Sequence, residues 1–263
     1  MHRWIIGAGL ALSLGAAQAA IKEAPVTYKD GDTTMQGFIV YDDANATKRP
    51  GVIVVPEWWG ITAHVRKEAR NLAGQGYTAF VADMYGDGKT ADNPKDAGAL
   101  SGAVRKNPAE MQSRFMAARQ ALSKSPTVNP DKIAAIGFCF GGSVVLDMAR
   151  AGIDLAGVAA FHAGLRAAGP QAAPGKVKAR ILVMNGTDDP FIEPETVDQF
   201  KKEMESAKVN YRYVSYPGAL HAFTNPEATA LGKKFSLPLK YDAEADKDSK
   251  ALAAKFLATV FKN

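Results

Sequence analysis

The chain has 263 residues, enough for one large domain, with 47% hydrophobic and 22% charged residues. Those proportions belong to a folded globular protein and exclude a disordered, collagenous or low-complexity one. A formal charge of +5, spread over basic residues scattered among acidic ones, argues against a nucleic-acid binder, and a single cysteine excludes an intrachain disulfide framework or a Cys-rich metal site.

In chain order, a short basic start (Met1-His2-Arg3) leads into an apolar run from Trp4 to Leu14 and then Ala17-Gln18-Ala19. Those parts predict a secretory signal peptide over 1–19 cleaved after Ala19, and hence a periplasmic protein without a stable membrane partner. Residues 26–41 predict two short strands joined by Lys29-Asp30-Gly31-Asp32. Gly51–Val55 reads as a strand buried on both faces, followed by a helix over 62–74 and a second buried strand over 79–82. A polar stretch from Gly86 to Pro94 precedes a helix over 108–124. A strand over 132–138 and a helix over 143–151 follow. Further strands are expected at 158–161, 180–184 and 211–214, with helices at about 195–207 and 244–261. Strands alternating with helices predict a mostly parallel sheet with helices on both faces, in a single α/β domain over 20–263. In such sheets the working residues sit beyond the carboxyl ends of strands.

Gly137-Phe138-Cys139-Phe140-Gly141-Gly142 runs from a strand directly into a helix. It is a cysteine form of the G-x-S-x-G elbow, in which the turn is so sharp that residues two before and two after the nucleophile must lack a Cβ. The helix start favours a thiolate and any developing oxyanion. A cysteine nucleophile needs a base, and His221 lies in a loop after the last strand. His64, in a helical run beside Arg66, Lys67 and Glu68, reads as a surface position, whereas His162 follows a strand and reads equally as pocket-lining or structural. The acid that orients the base is Asp188 or Asp189, after the strand at 180–184. Nucleophile, acid, base is the chain order of α/β-hydrolases.

On these residues the chain resembles the dienelactone hydrolase family of α/β-hydrolases. The carrying segments are Val54–Gly60, Gly76-Tyr77 with Ala82–Gly86, the Cys139 elbow and His221-Ala222-Phe223. The resemblance implies Cys139 as nucleophile, His221 as base and Asp189 rather than Asp188 as acid. It places Glu57 on a family glutamate that contacts the resting cysteine and keeps it protonated until substrate arrives. It also places the backbone N–H groups of Trp58 and Phe140 at the oxyanion hole. Two arginines by which dienelactone-cleaving relatives hold the substrate carboxylate are replaced here by Asp87 and Asn225. The expected activity is therefore hydrolysis of a small ester, lactone or thioester through an acyl-enzyme, without dienelactone specificity. Trp59, Tyr85, His162 and Asn225 are the candidate pocket residues. No phosphate loop, dinucleotide fingerprint or metal-spaced histidine cluster occurs, so neither cofactor nor metal is implied. Two other classes fit the same residues: a non-catalytic binding protein for a small carbonyl ligand, and a thiol redox protein using Cys139 with an outside partner.

Overall fold

The computed structural model describes residues 20–44 and 47–262. The expected signal peptide, residues 1–19, lies outside them. Among the described residues no helix is long and apolar enough to cross a membrane.

A hairpin of β1 (Ile21–Asp30) and β2 (Thr33–Asp42) opens the fold, paired in register from Ile21↔Asp42 to Asp30↔Thr33. The strands β3 (Arg49–Val55), β4 (Thr78–Val81), β5 (Val128–Phe138), β6 (Gly157–Phe161), β7 (Arg180–Gly186) and β8 (Tyr211–Tyr216) complete one eight-stranded sheet. Its order is β1-β2-β4-β3-β5-β6-β7-β8, and every pair from β4 onward is parallel. The chain places β4 on one side of β3 and then β5 on the other. This reversal opens a crevice at the carboxyl ends of β3 and β5, where ligands bind in open α/β sheets.

Alternating residues of the inner strands feed two cores. Ile53, Val55, Ala135, Val158, Ala160, Ile181 and Val183 face one layer. That layer holds α2 (Pro94–Lys106), α3 (Pro108–Ser123), α4 (Phe140–Arg150) and α5 (Pro194–Ser206). Val52, Val54, Ala134, Ile136, Ala159, Leu182 and Met184 face the other, with α1 (Ala63–Gly74) and α7 (Ala243–Val260). A short helix, α6 (Ala228–Phe235), follows the last strand.

Two helices stand where none was expected. α2 is rich in Gly and Ala, which blurs its apolar period. It is nonetheless bounded by recognisable signals: Asn93 caps Asp96 N–H at 3.0 Å, Pro94 opens the helix, and Arg105 and Lys106 close it. α6 is only eight residues long, too short for a clear period. α4 starts at Phe140 rather than at 143, because the elbow leads into the helix without a linker.

Candidate active site

The elbow is as sharp as its glycines require. Cys139 has φ +53°, a left-handed conformation that β-unbranched residues adopt only under constraint. A Cβ at Gly137 would lie 2.1 Å from the Gly141 carbonyl oxygen, and one at Gly141 would lie 2.2 Å from that of Val55. The backbone of β3 therefore presses directly on the first turn of α4. The Cys139 N–H is held by Phe161 O at 3.0 Å and by His162 Nδ1 at 3.1 Å. This leaves the half-buried sulfur at the N-terminus of α4.

His221 stands in the loop after β8, with its Nδ1 2.7 Å from Asp189 Oδ2. The other oxygen of Asp189 accepts the Phe191 N–H at 2.9 Å, so the carboxylate is fixed at both ends. The carboxylate that touches the imidazole is thus Asp189, while Asp188 accepts the Thr187 hydroxyl at 2.8 Å. Burial by itself lowers the His221 pKa, but the Cys139 sulfur and the Asp189 carboxylate outweigh it and push it up to about 10.

His162 is completely buried and has the opposite character. Burial, reinforced by His221 and His64, pushes its pKa well below the ordinary value, so it is neutral. Its Nδ1 accepts from Cys139, which places its proton on Nε2, 2.9 Å from the Thr224 hydroxyl. The Thr224 carbonyl in turn accepts from His64 Nε2 at 3.1 Å.

His64 departs from its expected surface position. The inward stripe of α1 is His64, Val65, Glu68, Ala69, Leu72 and Ala73, and it buries His64 to 5% exposure. There His64 Nδ1 lies 3.6 Å from Glu57 Oε2 and Nε2 lies 3.7 Å from Glu68 Oε1. Burial disfavours the His64 cation, but the Glu57 and Glu68 carboxylates outweigh it and raise its pKa.

Glu57 is buried two residues beyond Val55, which pairs in register with Gly137, and Cys139 lies two residues beyond Gly137. The two loops therefore leave the sheet side by side. The described hydrogen bond of the Glu57 carboxylate is from Asn225 Nδ2 at 2.9 Å; none joins it to Cys139. Among the described residues no hydrogen bond joins glutamate and cysteine as the resemblance implied; Asn225 takes Glu57 Oε2, and Oε1 is buried without a partner.

Tyr85 donates to the Trp58 carbonyl at 2.8 Å. Its loop is shaped by Asp83, whose carboxylate accepts four backbone N–H groups, from Gln36, Tyr85, Gly86 and Gly88. Neither Trp58 N–H nor Phe140 N–H has a hydrogen-bond partner among the described residues. Both belong to residues that line a cavity of about 480 Å³, with Cys139 and His221 also in its wall. Leu165, Ile192 and Leu237 make much of the remainder apolar, and the half-exposed Phe191 stands edge-on to His221 with ring centroids 5.0 Å apart. Trp59, Tyr85, His162 and Asn225 are not part of this lining. Trp59 stacks on Phe235 of α6, Tyr85 and His162 bond the backbone of the lining residues Trp58 and Cys139, and Asn225 bonds Glu57. Among the described residues no group of three or more His, Cys, Asp or Glu is arranged to hold a metal ion.

The sheet order, the elbow between β5 and α4, and the loops that end β7 and β8 define an α/β-hydrolase. Residues 35–261 match the model of the dienelactone hydrolase family, and the chain belongs to that family. Among curated relatives it is 31% identical over 183 residues to Protein usf of Aquifex pyrophilus, covering 67% of this chain and 77% of that one. Among solved structures it is similar to a dienelactone hydrolase-like promiscuous phosphotriesterase from metagenomic libraries, at 33% identity and a TM-score of 0.84, covering 92% of this chain and 99% of that one. The structure titled m3DLH is similar at 34% identity and a TM-score of 0.85, with the same coverage.

Proposed function

We propose that the protein hydrolyses small esters, lactones or thioesters through an acyl-enzyme on Cys139, after export to the periplasm. The observation that carries this reading is the buried Asp189–His221 pair at 2.7 Å beside a cysteine held at the N-terminus of a helix, all opening on one cavity. The Cys139 thiol passes its proton to His221 as its sulfur attacks the substrate carbonyl, and the carbonyl electron pair moves onto oxygen. The Trp58 and Phe140 N–H groups then bind the oxyanion. As the carbonyl re-forms, the bond to the alkoxide or thiolate breaks, and that group takes the proton from His221. A water gives its proton to the now neutral His221 and attacks the thioester. Collapse of the second tetrahedral intermediate expels Cys139 and releases the acid. Asp189 holds the imidazole and stabilises its cation throughout.

A thiolate leaves a tetrahedral intermediate far more readily than an amine nitrogen does, so amides are poor substrates. The apolar cavity suits a small acyl or aryl group. Neither Asp87 nor Asn225 supplies a positive charge for a substrate carboxylate, which supports a preference other than dienelactones. The related promiscuous phosphotriesterase adds phosphate triesters to the compounds worth assaying. The test is turnover of a panel of short p-nitrophenyl esters, a dienelactone and an acyl thioester by the wild type and by Cys139→Ala. Turnover that disappears in the variant supports the reading. Folded protein with a titratable thiol and no turnover favours a binding or redox role.

A further inference from the structure

Among the described residues stand three histidines, His64, His162 and His221, and the hydrolytic reading uses the last alone. His162 is completely buried between the elbow and the loop after β8. Both of its ring nitrogens are engaged. Nδ1 accepts the Cys139 N–H at 3.1 Å, and Nε2 donates to the Thr224 hydroxyl at 2.9 Å. Thr224 belongs to the same short loop as His221, in the run His221-Ala222-Phe223-Thr224. One imidazole therefore joins the backbone of Cys139 to the loop that carries His221. The ring is wedged as well as bonded. Its centroid lies 5.3 Å from that of His221 and 5.4 Å from that of Phe223, edge-on to both. Each end of this link is anchored in turn. The His162 N–H is held by the Met184 carbonyl of β7 at 2.8 Å, and the Thr224 carbonyl by His64 Nε2 of α1 at 3.1 Å.

We propose that His162 is a positioning residue whose ring braces the Cys139 backbone against the loop carrying His221, through Thr224, and so sets the spacing of nucleophile and base. The inference rests on Cys139 and His221 holding those roles in the proposed function.

Cys139 has φ +53° and ψ −114°, a conformation that persists only where the surroundings hold it. Gly137 and Gly141 make room for the turn, but they do not fix its position relative to the histidine loop. The Cys139 N–H has two acceptors. The Phe161 carbonyl, at 3.0 Å, continues the ladder between β5 and β6 and ties the residue to the sheet alone. His162 Nδ1 is the acceptor that leads on to the base. Asp189 orients the His221 ring, whereas Thr224 fixes the loop from which that ring projects. An imidazole that accepts at Nδ1 carries its proton on Nε2, which makes it the donor that the Thr224 hydroxyl needs. Burial keeps the ring neutral, and a protonated ring would have no lone pair left for the Cys139 N–H. His162 is itself left-handed, at φ +38°, which marks a second constrained residue beside the elbow.

The experiment pairs NMR of protein labelled at its histidine nitrogens with kinetics on a short p-nitrophenyl ester. The wild type is expected to show a histidine with a bare Nδ1 and a protonated Nε2. Those signals vanish in His162→Gln or, if that variant does not fold, move in Thr224→Val. Thr224→Val is nearly isosteric and is also expected to shift the Cys139 amide resonance. It should lower kcat about 10- to 100-fold while KM changes less than about twofold. Thr224→Ser, which has the hydroxyl, should return kcat to within about twofold of the wild type. Packing alone predicts the reverse order, because valine keeps the bulk of threonine and serine does not. The double variant His162→Gln/Thr224→Val should lose no more than the larger single loss, since both cut one link. A proton on Nδ1 of His162 overturns the proposal. So does a Thr224→Val protein with wild-type kcat or an unmoved Cys139 amide. If the wild type turns over no ester, the hydrolase reading fails and the spectra decide the brace by themselves: a moved Cys139 amide upholds it and an unmoved one refutes it. Ester turnover indifferent to both Thr224→Val and His162→Gln refutes this inference alone.

Discussion

Replacing Arg150 with Met removes the cation at the centre of a buried ion network. Arg150 is 2% exposed and stands at the end of α4, the helix that Cys139 caps. Its guanidinium reaches Glu203 of α5 at 2.8 and 2.9 Å, Asp147 at 3.0 Å and the Leu165 carbonyl at 2.7 Å. Asp147 and Leu165 line the same cavity as Cys139 and His221, so the network ties the cavity wall to two helices. Methionine fills much of the space but strands two buried carboxylates, which costs about 3–5 kcal/mol. For a domain of this size that lowers the midpoint of thermal unfolding by roughly 6–20 °C. Urea unfolding of the wild type and variant at neutral pH measures the loss. Because burial already raises the Asp147 pKa and Arg150 opposes that rise, removing the arginine raises it further. A carboxylate with a raised folded pKa stabilises below that pKa and loses its contribution as pH climbs through it, so the deficit of the variant shrinks in acid. Adding Asp147→Asn and Glu203→Gln recovers most of the loss. A deficit below about 1 kcal/mol, the value of an exposed pair, refutes the reasoning.

Gly137→Ala forces a Cβ to 2.1 Å from the Gly141 carbonyl, and it is expected to abolish the native elbow, seen as insoluble protein or loss of near-ultraviolet circular dichroism. Asp189→Asn leaves the site nearly isosteric but removes the charge that supports the imidazolium, and kcat on an accepted ester should fall about 100- to 10,000-fold with little change in KM. The His221 pKa is raised from 6.5 to about 10, so its contribution to stability is complete below 6.5 and disappears as pH rises through about 10. The stability difference between wild type and His221→Gln should therefore narrow across that window, and a difference that widens contradicts the sign. Asp83→Ala frees four backbone N–H groups at once and should cost about 3 kcal/mol or more in urea unfolding.

The strands were readable because a parallel sheet covered on both faces demands continuous apolar runs such as Gly51–Val55. The elbow and the pairing of Asp189 with His221 were readable because each of these segments follows a strand and carries particular residue types at short spacing. His64 was not, because its sequence neighbours Arg66 and Lys67 face water and only the pairing of α1 with the histidine loop buries the ring. The bond between Asn225 and Glu57 spans 168 residues, and nothing local in either segment encodes it. Trp59 shows the converse: an aromatic residue in a catalytic loop invites a pocket assignment, yet α6, itself invisible to periodicity, claims it for packing. The caps of α2 at Asn93 and Pro94 were present in the sequence, but two glycines inside the helix masked them.

The most direct test of the account is capture of the acyl-enzyme. Purified protein is mixed with an ester substrate that turns over, quenched in acid within the first turnover, and analysed by intact mass and by peptide mapping. An added acyl mass is expected on the peptide containing Cys139, absent in Cys139→Ala, which also loses turnover. Ester hydrolysis that survives Cys139→Ala, or acyl mass found on another residue, would contradict it.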